Sequence, residues 1–520
     1  MYLQSHRQTI GDLLRRTAMR APHKLAIRCK DMQWSYAELN DLCDRLASGL
    51  AAHRVAKGER IAILARNSHA FAALRFALAR LGAVLVPINF MLKADEVAYI
   101  LRHAGARMLA VDAGLAALGR QAAQLDTAVE QLIGLPGEGL PEPEGEMLGF
   151  AGLCAGPAVP LDVELAAGDL AQIVYTSGTE SLPKGAMLTH DAVIWQYVSC
   201  IVEGEISADD LVLHSLPLYH CAQLDCFLGP GIYLGATNII TGVPSPDNLL
   251  PLIAKHRITS FFAPPTVWIS LLRSPLFEQT DLSSLRKGYY GASIMPVEVL
   301  REMQRRLPRI RLWNFYGQTE IAPLATVLKP EDQLRKPGSA GKPAINVETR
   351  VVDDLMQDVA VGEVGEIVHR SPQLLTGYFN DPERTRAAFE GGWFHSGDLA
   401  VLDDEGYLTV VDRKKDMIKT GGENVASREV EEAIYGMPEV SEVAVVGLPH
   451  PRWVEAVTAV VVVKQGQTLS AQAVMGFCNS RMAQFKVPKG VVFLPELPKN
   501  PSGKLLKREL RKQLEGHFAT

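Results

Sequence analysis

With 520 residues, 47% of them hydrophobic and 21% charged, the chain has an ordinary globular composition and the length of about three or four folding units, which excludes disorder, collagen and a disulfide scaffold. Fifty-three basic residues against 58 acidic ones leave a formal net charge of -5, too near balance for nucleic acid to be the main partner. The 7 cysteines include no C-x-x-C pair, and neither a signal-like apolar run at the N-terminus nor a spanning apolar stretch is evident, so the expectation is a cytoplasmic enzyme with free thiols.

Short β-branched runs alternate with amphipathic stretches, the pattern of α/β architecture. Strands are predicted over residues 60–64 and 83–87, flanking a helix over 71–81. Residues 113–165, rich in Gly, Ala, Pro and Glu, read as surface connection. A buried strand over 171–175 leads into Tyr175-Thr-Ser-Gly-Thr-Glu-Ser-Leu-Pro-Lys-Gly185 and then a helix that Asp191 would cap. Further strands are predicted over 211–216, 238–241 and 260–263, and the basic run 301–311 reads as a solvated helix face. Val411-Asp-Arg-Lys-Lys-Asp416 is a charged joint, followed by strands over 441–448 and 456–463 and a helix over 471–483. The organisation expected is a large part over 1–411, a hinge at 412–415 and a lid over 416–520.

Five motifs carry chemistry. In the 175–185 segment, glycine lets backbone N–H groups approach an anion, hydroxyls donate to phosphate oxygens and Lys184 adds charge; a polar turn with an incidental lysine has the same residues. The G-x-x-x-x-G-K-[ST] order is absent, so this is no Walker A loop. Asn314-Phe-Tyr-Gly-Gln-Thr-Glu320 offers a ring for a base and a carboxylate for a hard cation. Trp393-Phe-His-Ser-Gly-Asp398 offers a carboxylate for two ribose hydroxyls. Asp412-Arg-Lys-Lys-Asp416 with Lys419-Thr-Gly-Gly-Glu-Asn424, and Lys499-Asn-Pro-Ser-Gly-Lys504, set charge on turns. Taken singly, each also fits an ordinary strand end, turn or solvated cluster.

In this order the motifs resemble the adenylate-forming superfamily: acyl-CoA synthetases, aryl-CoA ligases, luciferases and peptide-synthetase adenylation domains. The resemblance runs from Trp34-Ser-Tyr-Ala-Glu-Leu39 to Lys504 and is strongest to bacterial fatty-acyl-CoA synthetases, through Leu216-Pro-Leu-Tyr-His220, Gly338-Ser-Ala-Gly-Lys-Pro343, Gly421-Gly-Glu-Asn424 and Phe485-Lys-Val-Pro-Lys489. It implies an α/β fold: a large N-terminal adenylate-forming domain of several subdomains with packed α/β sheets, plus a small mobile α+β C-terminal lid. The implied reaction is an AMP-forming acid–thiol ligation. A carboxylate, of a medium- or long-chain fatty acid, attacks the α-phosphorus of Mg-ATP to give acyl-AMP and pyrophosphate, and the thiol of coenzyme A then displaces AMP.

The resemblance also implies residue roles. Thr176, Ser177, Gly178, Thr179 and Lys184 match the loop around the β- and γ-phosphates. Gly291, Ala292 and Ser293 would line the purine slot, with Tyr316 stacked on adenine and Gly317 beside it. Thr319 would touch the α-phosphate; Glu320, with Thr176, would hold Mg²⁺. Asp398 and Arg413 would grip the ribose, and Lys504 would neutralise charge at the reacting phosphoryl group. Lys415 matches the hinge, and Gly421 and Gly422 the pantetheine tunnel. The acyl pocket would be lined by His220, Cys221, Ala222, Phe227 and Ala292, although core packing accounts for its apolar members as well. His220 stands where amino-acid-activating relatives look to carry an aspartate, which argues against an amino-acid substrate.

The chain departs from the family pattern at Glu180-Ser181, where Thr-Gly is usual, and at Ala426-Ser427, where many relatives show Tyr-Pro. Glu180 is expected to point away from the phosphates. Ser181-Leu-Pro-Lys184, Tyr378-Phe-Asn380 and Lys419-Thr-Gly421 also follow the S-x-x-K, Y-x-N, K-T-G order of penicillin-interacting serine enzymes, a far weaker pattern. An aryl-CoA ligase, a fatty-acyl-AMP ligase loading a carrier protein and a binding-only pseudoenzyme remain as alternatives. Peripheral membrane contact and the oligomeric state, a dimer included, stay open.

Overall fold

The short apolar runs become strands of two large sheets, and the helices between them cover the faces. The computed structural model describes residues 5–176, 183–291, 293, 295–499 and 505–518. The chain forms two compact units: residues 1–337, 341–348 and 370–394 in one, and 338–340, 349–369 and 395–520 in the other.

One sheet of the larger unit runs Gly377–Tyr378, Lys184–Thr189, Leu170–Thr176, Val84–Pro87, Arg60–Leu64, Met108–Asp112, Gln131–Leu135 and Leu148–Gly149. Its central strands are parallel and almost wholly buried, which is why they read as unbroken apolar runs. The other sheet runs Lys342–Pro343, Leu324–Leu328, Arg311–Gly317, Lys287–Gly291, Ser260–Phe262, Leu211–His214, Thr237–Ile240, Leu25–Cys29 and Met32–Ser35. Helix His69–Leu81 starts at the Ser68 cap and stops at left-handed Gly82. It carries buried Arg75, whose guanidinium lies 3.3 Å from Asp225 on a π-helical turn, Leu224–Leu228. Gln172 Nε2 at 2.8 Å and the Tyr197 hydroxyl at 3.1 Å also donate to the Asp225 carboxylate. Burial pushes that carboxyl upward and Arg75 opposes the shift. A fully buried charge needs such partners, and here they fasten two helices, a strand and the π turn together.

Two readings change. Residues 113–165 are more than surface connection: helix Ala116–Ala123 and strand Gln131–Leu135 lie within them, the strand pairing in parallel with Met108–Asp112. The 175–185 segment does not lead straight into a helix. Strand Lys184–Thr189 intervenes, antiparallel to Leu170–Thr176, and Thr189 rather than Asp191 caps helix His190–Glu203 by accepting from Ala192 N at 3.1 Å. The basic run keeps its reading as a solvated face, on helix Val297–Arg306, and adds surface ion pairs: Arg301 meets Glu298 at 2.6 Å, Arg306 meets Glu278 at 2.7 Å and Glu302 at 2.9 Å, and Arg311 meets Glu205.

The smaller unit holds a sheet of Glu348–Val352, Gly365–Arg370, Phe394–Leu402 and Leu408–Arg413, and another built on the long hairpin Val440–His450 and Val454–Val463. Asp412 accepts from Ser427 N at 2.7 Å and Ser427 Oγ at 2.6 Å, binding strand Leu408–Arg413 to helix Ser427–Tyr435. Compactness therefore groups residues 395–411 with the C-terminal part, ahead of the 412–415 joint. All 7 cysteines are free, Cys154 half-buried and the rest buried. Among the described residues no helix is long and apolar enough to cross a membrane.

Burial pushes His69, His190 and His214 of the larger unit down to about 4. His214 sits between Asn238 Oδ1 at 2.9 Å and Gln223 Nε2 at 2.8 Å, a neutral ring satisfied at both nitrogens. In the unfolded chain these groups titrate near about 6.5, so acid protonates that state first. Their stabilisation is complete above the unfolded pKa and is lost as pH falls toward 4. The urea midpoint is expected to fall steadily from about pH 7 to about pH 5, and a flat profile would contradict this.

Candidate active site

The site is assembled on a hairpin. Thr176 ends one strand and Lys184 opens the next, and the two are register partners across the 177–183 segment. Thr176 Oγ1 is buried and has no hydrogen-bond partner among the described residues. Glu320 lies on the single turn Thr319–Ile321 and is 6% exposed. Its carbonyl accepts from Leu375 N at 2.8 Å. The segment continues as Gly377–Tyr378, paired antiparallel to Lys184–Thr189, with Phe379 N donating to Gly185 O at 2.8 Å. One short stretch of main chain thus holds the Glu320 turn against the Lys184 strand. Lys184 Nζ lies 3.4 Å from Glu320 Oε1, and the Tyr378 hydroxyl joins them, accepting from Lys184 at 2.6 Å and donating to Glu320 at 3.0 Å. Behind Thr176, the Tyr175 hydroxyl meets His103 Nδ1 at 2.7 Å. Burial raises the phenol and lowers the imidazole, leaving a neutral pair.

A carboxylate and an orphaned hydroxyl are oxygen donors of the kind a hard divalent cation takes, and the adjacent ammonium suits a phosphate. The donor set fits Mg²⁺ with a polyphosphate.

Gly317 has a steric reason as well. A Cβ there would lie 1.8 Å from Pro323 O, so only glycine lets strand Arg311–Gly317 meet the turn that follows Glu320. Gly291 pairs with Phe315 and Tyr316 with Thr326, while Ser293 is exposed. Cys221 Sγ lies 3.4 Å from Thr319 Oγ1, which sets the 220–227 segment beside the Glu320 turn. His220 caps helix Cys221–Gln223, its Nδ1 accepting from Ala222 N at 3.1 Å. Phe227, 2% exposed, stacks on Phe262 at 4.5 Å and Phe315 at 5.7 Å, and Tyr289 tilts against it at 5.0 Å. Phe227 and Cys226 belong to a filled aromatic core with Ile321 and Leu324.

In the smaller unit, Asp398 and Arg413 face each other on adjacent strands, with Nε and Oδ1 3.5 Å apart. Gly421 and Gly422, with φ of 60° and 88°, make the two-residue turn between Ile418–Thr420 and Glu423–Val425, a conformation that favours glycine at both places. Lys415 is exposed. Ser177, Gly178, Thr179, Glu180, Ser181, Ala292 and Lys504 lie outside the described residues.

The order of these parts has a match. The model of the AMP-binding enzymes covers residues 14–379, and that of the AMP-binding enzyme C-terminal domain covers 429–504. The chain belongs to the AMP-binding enzyme family. It is 38% identical to an indoleacetate–CoA ligase of Aromatoleum aromaticum, over 96% of this chain and 97% of that one. It is 36% identical to a long-chain-fatty-acid–CoA ligase of Mycobacterium tuberculosis, over 97% and 98%. The crystal structure of the anthranilate CoA ligase AuaEII with anthranoyl-AMP superposes with a TM-score of 0.91 at 26% identity, covering 99% of this chain and 98% of that one.

In this AMP-binding enzyme the serine-enzyme order falls away, because Lys184 opens a strand and cannot share a helix turn with Ser181. Tyr378 joins the site although the five motifs do not contain it; the sequence marks it only through the serine-enzyme Y-x-N pattern and a Gly-aromatic pair before the Pro382 helix start. Gly317→Ala is expected to lower the melting temperature by about 5 °C or more, because backbone must move. Gly152→Ala, where a Cβ meets nothing within 4 Å, should leave it unchanged. Equal melting temperatures for the two variants would remove the steric account.

Proposed function

We propose that this chain activates a carboxylic acid with a compact aromatic or apolar body and transfers it to coenzyme A. It is an AMP-forming acid–CoA ligase. The acid's carboxylate oxygen bonds to the α-phosphorus of ATP as the bond to the bridging oxygen breaks, releasing pyrophosphate. The thiol sulfur then attacks the acyl carbon, loses its proton and displaces AMP. The observation that carries this reading is the convergence of Thr176, Lys184 and Glu320 within one unit, with Thr319 and the buried 220–227 segment alongside.

Lys184 and the hydroxyl of Thr176 hold the departing phosphates, and Glu320 with Thr176 would hold Mg²⁺. When bound, the metal draws charge from the phosphoryl oxygens. Tyr316 is assigned to adenine. Asp398, Arg413, Lys415, Gly421, Gly422 and Lys504 keep the roles that the resemblance implied.

The acid is narrowed by packing. Ala222 packs against the buried cluster of Phe227, Phe262, Phe315 and Tyr289, which supports a short acyl pocket backed by aromatic side chains. This moves the expectation away from a long-chain fatty acid, and the similarity to ligases for indoleacetate and anthranilate supports the same direction. A medium- or long-chain fatty acid is the second reading, supported by the fatty-acid ligase relative.

Acid-dependent exchange of pyrophosphate into ATP, over acetate, octanoate, palmitate, cinnamate and indole-3-acetate, tests the reading. Cinnamate or indole-3-acetate should give the highest kcat/KM, and palmitate exceeding both would reverse the two readings. Thioester formation with free coenzyme A should follow; its absence alongside good exchange would favour loading of a carrier protein. Glu320→Gln and Lys504→Ala are each expected to lower exchange by about 100-fold. Undiminished exchange in either variant would remove that residue from the assignment.

A further inference from the structure

Lys184 and Glu320 carry opposite charges, and both are needed facing outward, toward phosphate and metal. Two such groups 3.4 Å apart would otherwise satisfy each other. The hydroxyl of Tyr378 stands between them and forms a chain of fixed polarity, ammonium to phenol oxygen at 2.6 Å and phenol hydrogen to carboxylate at 3.0 Å.

Its position is strongly fixed. Tyr378 is buried, its main chain pairs with Ala186 two residues beyond Lys184, and its N–H donates to Thr385 Oγ1 at 2.8 Å. Thr385 Oγ1 in turn donates to Asp381 O at 2.8 Å at the start of helix Pro382–Ala388. The phenol is therefore anchored independently of the two charges that it separates. Lys184 remains half-exposed, free to turn toward an anion.

We propose that Tyr378 is a positioning residue for the nucleotide. Its hydroxyl spaces Lys184 from Glu320, so that the lysine stays available to pyrophosphate oxygens and the second carboxylate oxygen to the metal. Without the hydroxyl, the ammonium and carboxylate close on each other, and Mg-ATP must first part them. The inference rests on the roles proposed above for Lys184 and Glu320, and it adds a residue that neither motif contains.

The test uses the full chain, with binding of Mg-ATP measured by calorimetry beside steady-state kinetics. Tyr378→Phe keeps the ring and should melt within about 2 °C of the parent. It should weaken Mg-ATP binding by about 10-fold and raise the ATP KM in proportion, with kcat changed by less than about threefold. KM values for the acid and for coenzyme A should stay put. In a Glu320→Gln background, which has no carboxylate to collapse onto Lys184, the same substitution should weaken binding by less than about twofold.

Unchanged Mg-ATP binding by Tyr378→Phe would overturn the proposal. So would a loss that persists in full in the Glu320→Gln background, since that marks ordinary packing. Should Tyr378→Phe fail to fold, Thr385→Val, which loosens the anchor, must raise the ATP KM alone for the proposal to stand. Failure of the parent chain to bind Mg-ATP would count against the proposed function, leaving a different result from either outcome for Tyr378.

Discussion

The larger unit's site depends on one constraint, the main-chain bonding of residues 375–379 to two places at once. Leu375 N reaches the Glu320 carbonyl, and Thr376 N and Phe379 N reach the strand that begins with Lys184. Backbone bonds of this kind leave little freedom in register, because a slip by one residue would turn Tyr378 to the opposite face. The spacing between a carboxylate and an ammonium is thereby fixed by the sheet, with their own flexible side chains supplying only the last ångströms.

Around that constraint, polar and apolar packing divide the labour. The Asp225 group is sealed, with every visible partner supplied by the protein, and it serves as a fastening inside the core. Glu320 is almost as buried, yet its partners are a phenol and a lysine that reaches the surface. A carboxylate in the first setting is structural and one in the second is available for exchange of partners. The stacked rings about Phe227 add a rigid wall beside the Glu320 turn, since aromatic side chains have few rotamers through which to yield.

Much of this was legible in the sequence, for identifiable reasons. The strands at 60–64 and 260–262 and the helix ending at Leu81 stood out because buried parallel strands and covered helices leave long apolar signals. Helix Ala116–Ala123 did not, being short and alanine-rich, with Gly119 pressed on Val111 where a larger residue would have marked its face. Strand Lys184–Thr189 was hidden because its identity comes from pairing with Leu170–Thr176 rather than from its own alternation. Thr176, Lys184 and Glu320 were singled out through motif order, and the structure sets Lys184 beside both. Tyr378 was marked only within the serine-enzyme pattern, since its contact with Lys184 spans 194 residues and a single tyrosine has no periodicity to betray it.

The hairpin that carries Thr176 and Lys184 has a consequence for how such a loop can diversify. Its two ends are tied to each other in register, and its far strand is tied again through Gly377–Tyr378. The backbone pairing of that frame joins Thr176 to Lys184 and Gly377–Tyr378 to Ala186 and Met187, and none of it runs through positions 180 and 181, where a Glu-Ser pair stands in place of Thr-Gly. A scaffold built this way separates inheritance of fold from inheritance of loop chemistry, and leaves the second open to change.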